Sequence, residues 1–213
     1  MRVLLTAFEP YAEWPTNSSW LTLAELLRCR PPSATLVTRR YPVDFQRLEK
    51  ALHKDLAQGF DAVLHLGQAP GSPMIRLEAL AINAGGSITE AGAGIERLVA
   101  EAPEAYRTQM PLERWSRLLQ KRSIPAQISY HAGTFLCNAV MYLSHHWMEQ
   151  AGKATPVGFI HLPLTTQQVA DSARPLPSLP VETLADAVAT LLDDLQLHEA
   201  LLAELASRGP NVA

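Results

Sequence analysis

Asp61-Ala62-Val63-Leu64-His65-Leu66-Gly67 reads as a strand with apolar residues on both faces, the pattern of a central strand covered by helices above and below. Working outward from it, strand-length and helix-length patterns alternate along the whole chain. Upstream, 3–7 is a short β-type run that ends at Glu9-Pro10-Tyr11. The stretch 18–28 carries Trp20, Leu21, Leu23, Ala24 and Leu27 at helical spacing, behind Asn17, Ser18 and Ser19, each a competent N-cap. Pro31-Pro32 stops that helix; a strand at 34–41 and a helix at 43–58 with Phe45, Leu48, Leu52 and Leu56 follow. Downstream, the patterns predict a strand at 75–82, a mobile Gly- and Ala-rich surface loop at 83–94, a helix at 112–122 and a strand at 126–130. They continue with a helix at 136–150, a last strand at 156–162 and a terminal helix at 181–206. This alternation predicts an α/β fold: a single-domain three-layer α/β/α sandwich with a mostly parallel twisted sheet. No repeat or linker divides residues 1–213, and the Pro-rich piece 174–180 is a connector.

At 213 residues the chain can bury a sizeable core without disulfides or metal. A net charge of -3 supplies no basic footprint, which argues against a nucleic-acid partner. The apolar runs are strand-length, too short for a membrane span, and the one at the N-terminus is too short for a signal-peptide core. The two cysteines, Cys29 and Cys137, stand in dissimilar contexts. They predict free thiols and a reducing, cytosolic compartment, and they cannot by themselves build a zinc site. Trp115 and Trp147 are expected at the surface, serving an interface or packing locally.

Gly133-Thr134-Phe135-Leu136-Cys137-Asn138 places a cysteine in the first turn of a helix. There the macrodipole and unpaired N–H groups favour the thiolate and can hold an oxyanion. A cysteine is also commonly a small buried hydrophobe, and placement alone leaves both readings open. Cys29, between Arg28 and Arg30, has charges that could lower its pKa but no base beside it. Of seven histidines, His161 closes the strand Gly158-Phe159-Ile160-His161 at the edge where α/β sites gather. His131, six residues before Cys137, is its rival. His65 lies in a buried strand, and His53, His145, His146 and His198 lie on helices. Glu78 interrupts the apolar run 75–82, and a buried carboxylate needs a partner. Alternation puts Arg76, Glu78 and Leu80 on one strand face, so a local Arg76–Glu78 pair competes with a role orienting a histidine base.

Several of these segments, in order, resemble the pyroglutamyl peptidase I (pyrrolidone-carboxylate peptidase) family of cysteine peptidases. Leu5-Thr6-Ala7-Phe8-Glu9-Pro10-Tyr11 is similar to the family's opening strand and aromatic loop, with Asn17 where the family has an asparagine. Leu66-Gly67-Gln68-Ala69 and Pro103-Glu104-Ala105-Tyr106 also resemble family segments. Leu77-Glu78-Ala79-Leu80-Ala81-Ile82-Asn83, Ala132-Gly133-Thr134-Phe135-Leu136-Cys137-Asn138 and Gly158-Phe159-Ile160-His161-Leu162-Pro163 resemble the segments carrying the family's catalytic glutamate, cysteine and histidine. The resemblance implies Cys137 as nucleophile, His161 rather than His131 as base, and Glu78 as the acid orienting it. It implies hydrolysis, without a cofactor, of a peptide substrate bearing an N-terminal pyroglutamate. Phe8 and Tyr11 would then sandwich the lactam ring, with Asn17 and Gln68 at the substrate site. Homo-oligomers, dimers or tetramers, are implied as well.

The chain departs from the family pattern around that pocket. Ala7 replaces a glycine, Ala12-Glu13 replaces Gly-Gly, Tyr11 replaces Phe and Ser18 replaces Pro. The stretch Ala84-Gly85-Gly86-Ser87-Ile88-Thr89-Glu90 is shorter than the family's and lacks its arginine. These changes keep two alternatives in view: a related amide or lactam hydrolase with an altered pocket, and a non-catalytic binding paralogue.

Overall fold

The computed structural model describes residues 1–29, 34–86, 88–89, 92–172 and 174–207. The chain runs through β1 (Arg2–Phe8), α1 (Ser18–Cys29), β2 (Thr35–Tyr41), α2 (Phe45–Leu56), β3 (Ala62–Gln68), β4 (Ile75–Glu78) and β5 (Leu80–Ile82). It continues with β6 (Ile88–Thr89), β7 (Gly92–Ala93), β8 (Ala105–Arg107), α3 (Leu112–Lys121), β9 (Ala126–Ser129) and α4 (Leu136–Gln150). The last elements are β10 (Val157–Leu162), β11 (Leu164–Thr165), α5 (Thr166–Ser172), β12 (Ser178–Leu179) and α6 (Val181–Ser207).

Six strands form one sheet in the order β2-β1-β3-β10-β4-β9. β2, β1, β3 and β10 are mutually parallel, whereas β4 runs antiparallel to β10 and parallel to β9. Every residue of β3 is buried, and its alternation feeds two cores. Ala62, Leu64 and Leu66 join Val3, Leu5 and Ala7 of β1 and Ile160 and Leu162 of β10 beneath α1, α3 and α6. Val63 joins Leu4, Phe8, Val157 and Phe159 on the opposite face, under α2 and α4. Helices therefore cover both faces, which is the expected three-layer arrangement. The same period of two directs His65, Gly67 and His161 to the α4 side.

The structure corrects several expectations. The run 75–82 is two strands, because the chain leaves the main sheet after Glu78 and β5 pairs with β8. Ala79 turns the corner by donating its N–H to Ser129 and accepting from Thr108. The segment 83–94 carries a short antiparallel ladder of β6 and β7; Ser87, Glu90 and Ala91 within it lie outside the described residues. β10 is not the last strand, since β11 and β12 pair beyond it, and α5 lies between them. Trp115 is buried at 1% exposure, because α6 covers it and Asp194 accepts its indole N–H at 3.0 Å. Trp147 is half-buried and packs edge-on against His53. Among the described residues, no helix is long and apolar enough to cross a membrane.

Candidate active site

His161 sits one residue before the end of β10, with Gly67 of β3 opposite it on one side and Arg76 of β4 on the other. Because β4 is antiparallel, Glu78 lies opposite Phe159, one step deeper on the same face, and meets the ring diagonally. The Glu78 carboxylate has no exposed surface, and its Oε1 lies 2.7 Å from His161 Nδ1. The competing Arg76–Glu78 pair does not form; Glu78 serves the histidine. Burial by itself would lower the His161 pKa. The Cys137 charge and hydrogen bond and the Glu78 carboxylate outweigh it and raise the pKa to about 9. The ring therefore keeps its proton through neutral pH. With Nδ1 on Glu78, Nε2 is the nitrogen left to face the Cys137 sulfur.

Cys137 is the second residue of α4. Phe135 at the N-cap is extended (φ −96°, ψ −158°) and no side chain caps the helix, so the first-turn N–H groups stay available to an anion. The Asn138 side chain is engaged elsewhere: it donates to the carbonyls of Ile82 and Ala84 and accepts from Ile82 N–H, each at 2.8 Å. Those three bonds pin the helix start to the end of β5 and to Ala84 just beyond it. Gly67 lets the sulfur close on the sheet. A Cβ there would lie 2.5 Å from the Phe159 ring and 3.1 Å from Cys137 Sγ, so any side chain would displace the Cys137 sulfur or the Phe159 ring packed against His161.

A pocket of about 370 Å³ opens over the pair, and Phe8, Tyr11, Asn17, Gln68, Cys137 and His161 all line it. Phe8 and Gln68 are the C-terminal residues of β1 and β3, so three parallel strands deliver the site to one sheet edge. Tyr11 opens a tight turn closed by a Trp14 N–H bond to its carbonyl. Within it Ala12 takes φ 52°, a left-handed conformation that favours the glycine the family carries there. The Tyr11 phenol is held protonated by burial first and the Cys137 charge second. Asn17 lines the pocket, but its amide shapes the loop, donating to Glu9 O and accepting from the Ser19 N–H and hydroxyl. Gln68 Oε1 accepts from Ser18 N–H at 2.7 Å.

The other candidates fall away from this site. His131 is exposed and outside the pocket. His65 is wholly buried between Thr6 and Ser144. Cys29 is exposed, and its pKa is raised, chiefly by a hydrogen bond to Glu25, which outweighs the Arg28 charge that could have lowered it. Gly86 on the pocket wall belongs to the altered 84–90 stretch and Thr134 to the cysteine motif, whereas sequence reasoning missed Val43 there, a residue with no chemical signature of its own. It also missed Gly67, whose role is visible only once α4 is packed against β3. Among the described residues, no group of three His, Cys, Asp or Glu stands together that could hold a metal.

A thiol at a helix start, an imidazole and a buried carboxylate in series at the edge of an α/β sheet define a cysteine hydrolase. Comparison with known proteins makes this specific: the chain belongs to the pyroglutamyl peptidase family, whose model matches residues 1–194. A pyrrolidone-carboxylate peptidase of Thermococcus onnurineus (strain NA1) is 34% identical over 200 residues, covering 90% of this chain and 97% of the relative. One from Pseudomonas fluorescens is 34% identical over 183 residues, covering 83% of this chain and 85% of the relative. A solved mutant form of the Pyrococcus furiosus pyrrolidone carboxyl peptidase superposes with a TM-score of 0.85 at 33% identity, over 93% of this chain and 99% of that one. The pyrrolidone carboxyl peptidase of Fervidobacterium islandicum AW-1 superposes with a TM-score of 0.85 at 35% identity, over 92% of this chain and 98% of that one.

Proposed function

We propose that this chain is a cysteine peptidase that removes an N-terminal pyroglutamyl residue from peptides, with Cys137 as nucleophile, His161 as acid and base and Glu78 as orienting acid. The observation that carries the reading is the 2.7 Å Glu78–His161 contact, with Cys137 and His161 lining one pocket. The Cys137 thiolate attacks the carbonyl carbon of the pyroglutamyl residue, forming an S–C bond, while the first-turn N–H groups of α4 hold the oxyanion. Collapse breaks the C–N bond, and the His161 Nε2 proton passes to the leaving amine. His161 then takes a proton from water, whose oxygen attacks the thioester. Release of 5-oxoproline restores the thiolate and the imidazolium. Glu78, bonded to Nδ1, keeps the proton-carrying ring aligned.

The pocket suits a small neutral lactam. Phe8 and Tyr11 provide aromatic walls. Gln68 has a buried amide N–H2 with no partner among the described residues, a donor we assign to the lactam carbonyl. Two free cysteines support a reducing, cytosolic site of action.

Turnover of pyroglutamyl-naphthylamide against its prolyl and glutaminyl analogues tests the assignment. The pyroglutamyl compound alone should release amine. Cys137→Ala and Cys137→Ser should lower that release by a factor on the order of 10⁴ or more while the protein stays folded. Full activity in Cys137→Ala would refute the mechanism, and no turnover by the unaltered protein would refute the substrate.

A further inference from the structure

Behind the pocket wall, Gln168 of α5 reaches across 100 residues of sequence to Gln68, its Nε2 2.8 Å from Gln68 Oε1. Both side chains are 5% exposed. Two backbone donors fix which way the two amides face. Thr165 N–H lies 2.9 Å from one end of the Gln168 amide, which must therefore be its oxygen. Its N–H2 group is then turned to Thr16 O at 3.0 Å and to Gln68. On the Gln68 side, Ser18 N–H at 2.7 Å likewise demands an oxygen. Gln68 Oε1 thus accepts two bonds on the α1–α5 side, and its Nε2 is left buried without a partner among the described residues. Resting on the lactam reading given above, we infer that Gln168 is a positioning residue of the substrate pocket: it locks the Gln68 amide so that its N–H2 group, not its oxygen, is kept for the ring carbonyl of the substrate.

A brace that merely ties α5 to the first loop would have the same neighbours, so the test must separate the two roles. Glutamate at 168 still accepts from Thr165 N–H but offers Gln68 an acceptor, pulling the Gln68 N–H2 group away from the pocket. Methionine at 168 removes every bond and leaves Ser18 N–H to hold Gln68 alone. A positioning role makes Gln168→Glu the worse variant, and a bracing role makes Gln168→Met the worse.

The measurement is protection of Cys137 from iodoacetamide by 5-oxoproline, in the full chain, which reads lactam binding whether or not turnover occurs. The half-protecting concentration should rise on the order of tenfold in Gln168→Glu and by a smaller factor in Gln168→Met. Neither substitution should raise it further in a Gln68→Leu background, since a residue acting through another is fully non-additive with it. The alkylation rate without lactam should stay within about twofold in the two Gln168 single variants, because the Cys137–His161 pair is untouched. The inference is overturned by additive effects, by Gln168→Met being the more damaging, or by failure of 5-oxoproline to protect the unaltered protein. If Gln168→Glu does not fold, the Gln168→Met and Gln68→Leu pair decides by the same non-additivity. Protection without turnover would count against the proposed activity alone.

Discussion

His161 is pulled in opposite directions by its surroundings. Burial disfavours its cation, while the Cys137 charge and the buried Glu78 carboxylate favour it, and the anions prevail, raising its pKa to about 9. In the proposed mechanism amine release takes that proton, so kcat/KM for the pyroglutamyl amide should fall on the alkaline side near pH 9. Glu78→Gln removes one of the two anions and should move that limb to lower pH by about one unit or more, with a lower plateau. A limb that stays in place in the variant would mean that Glu78 does not support the charge. His65 shows the opposite balance. Burial first, and His145 second, lower its pKa to about 3, and its two nitrogens meet the hydroxyls of Thr6 at 2.7 Å and Ser144 at 3.0 Å. The unfolded chain protonates this residue near its ordinary 6.5, the folded chain only near 3. Its contribution is complete above pH 6.5 and is lost as pH falls through that interval, at roughly 1.4 kcal/mol per unit. Denaturant unfolding at pH 7, 5 and 4 should show this loss, and His65→Gln should flatten it.

The junction of β3, β10 and α4 is where elements become a site. At Gly67 there is room for the Phe159 ring and the Cys137 sulfur but not for a methyl group. Gly67→Ala should therefore cost about 1–3 kcal/mol of stability and lower kcat by roughly 10²-fold by shifting the Cys137 sulfur, the proposed nucleophile; normal kcat in this variant would contradict the proposed packing. Much of this junction was legible in the sequence. The doubly apolar run 61–67 announces a central strand, Gly133 to Asn138 announces a helix start carrying a thiol, and His161 stands at a strand end. What stayed hidden was set by distant contacts. The apolar run 75–82 carries no mark of the break at Ala79, because the break exists to let β5 find β8, more than twenty residues on. β8, β11 and β12 are two or three residues long, too short for any period to register. Trp115 reads as a surface residue on its own helix until α6 and Asp194 arrive to cover it.

At the scale of the molecule, sheet direction assigns the roles. Parallel β1, β3 and β10 bring Phe8, Gln68 and His161 to one edge, where a pocket can open. Antiparallel β4 places Glu78 a step below that edge, where it has no contact with solvent and can answer only to the histidine. No local pattern in the chain encodes that reversal; it is the one feature of sheet topology on which the acid's burial depends. The central claim, that sheet and helix converge to couple the Cys137 sulfur to His161, is tested most directly by competitive alkylation. Iodoacetamide would be applied at neutral pH and the modification of Cys137 and Cys29 followed in the same molecule by mass spectrometry, for the unaltered protein and for His161→Ala. Cys29 is exposed but has its pKa raised by Glu25, so it serves as an internal standard. Cys137, although less exposed, should react at least about tenfold faster than Cys29, and His161→Ala should abolish that advantage. Equal rates at the two thiols, or a Cys137 rate indifferent to the loss of His161, would contradict the coupling.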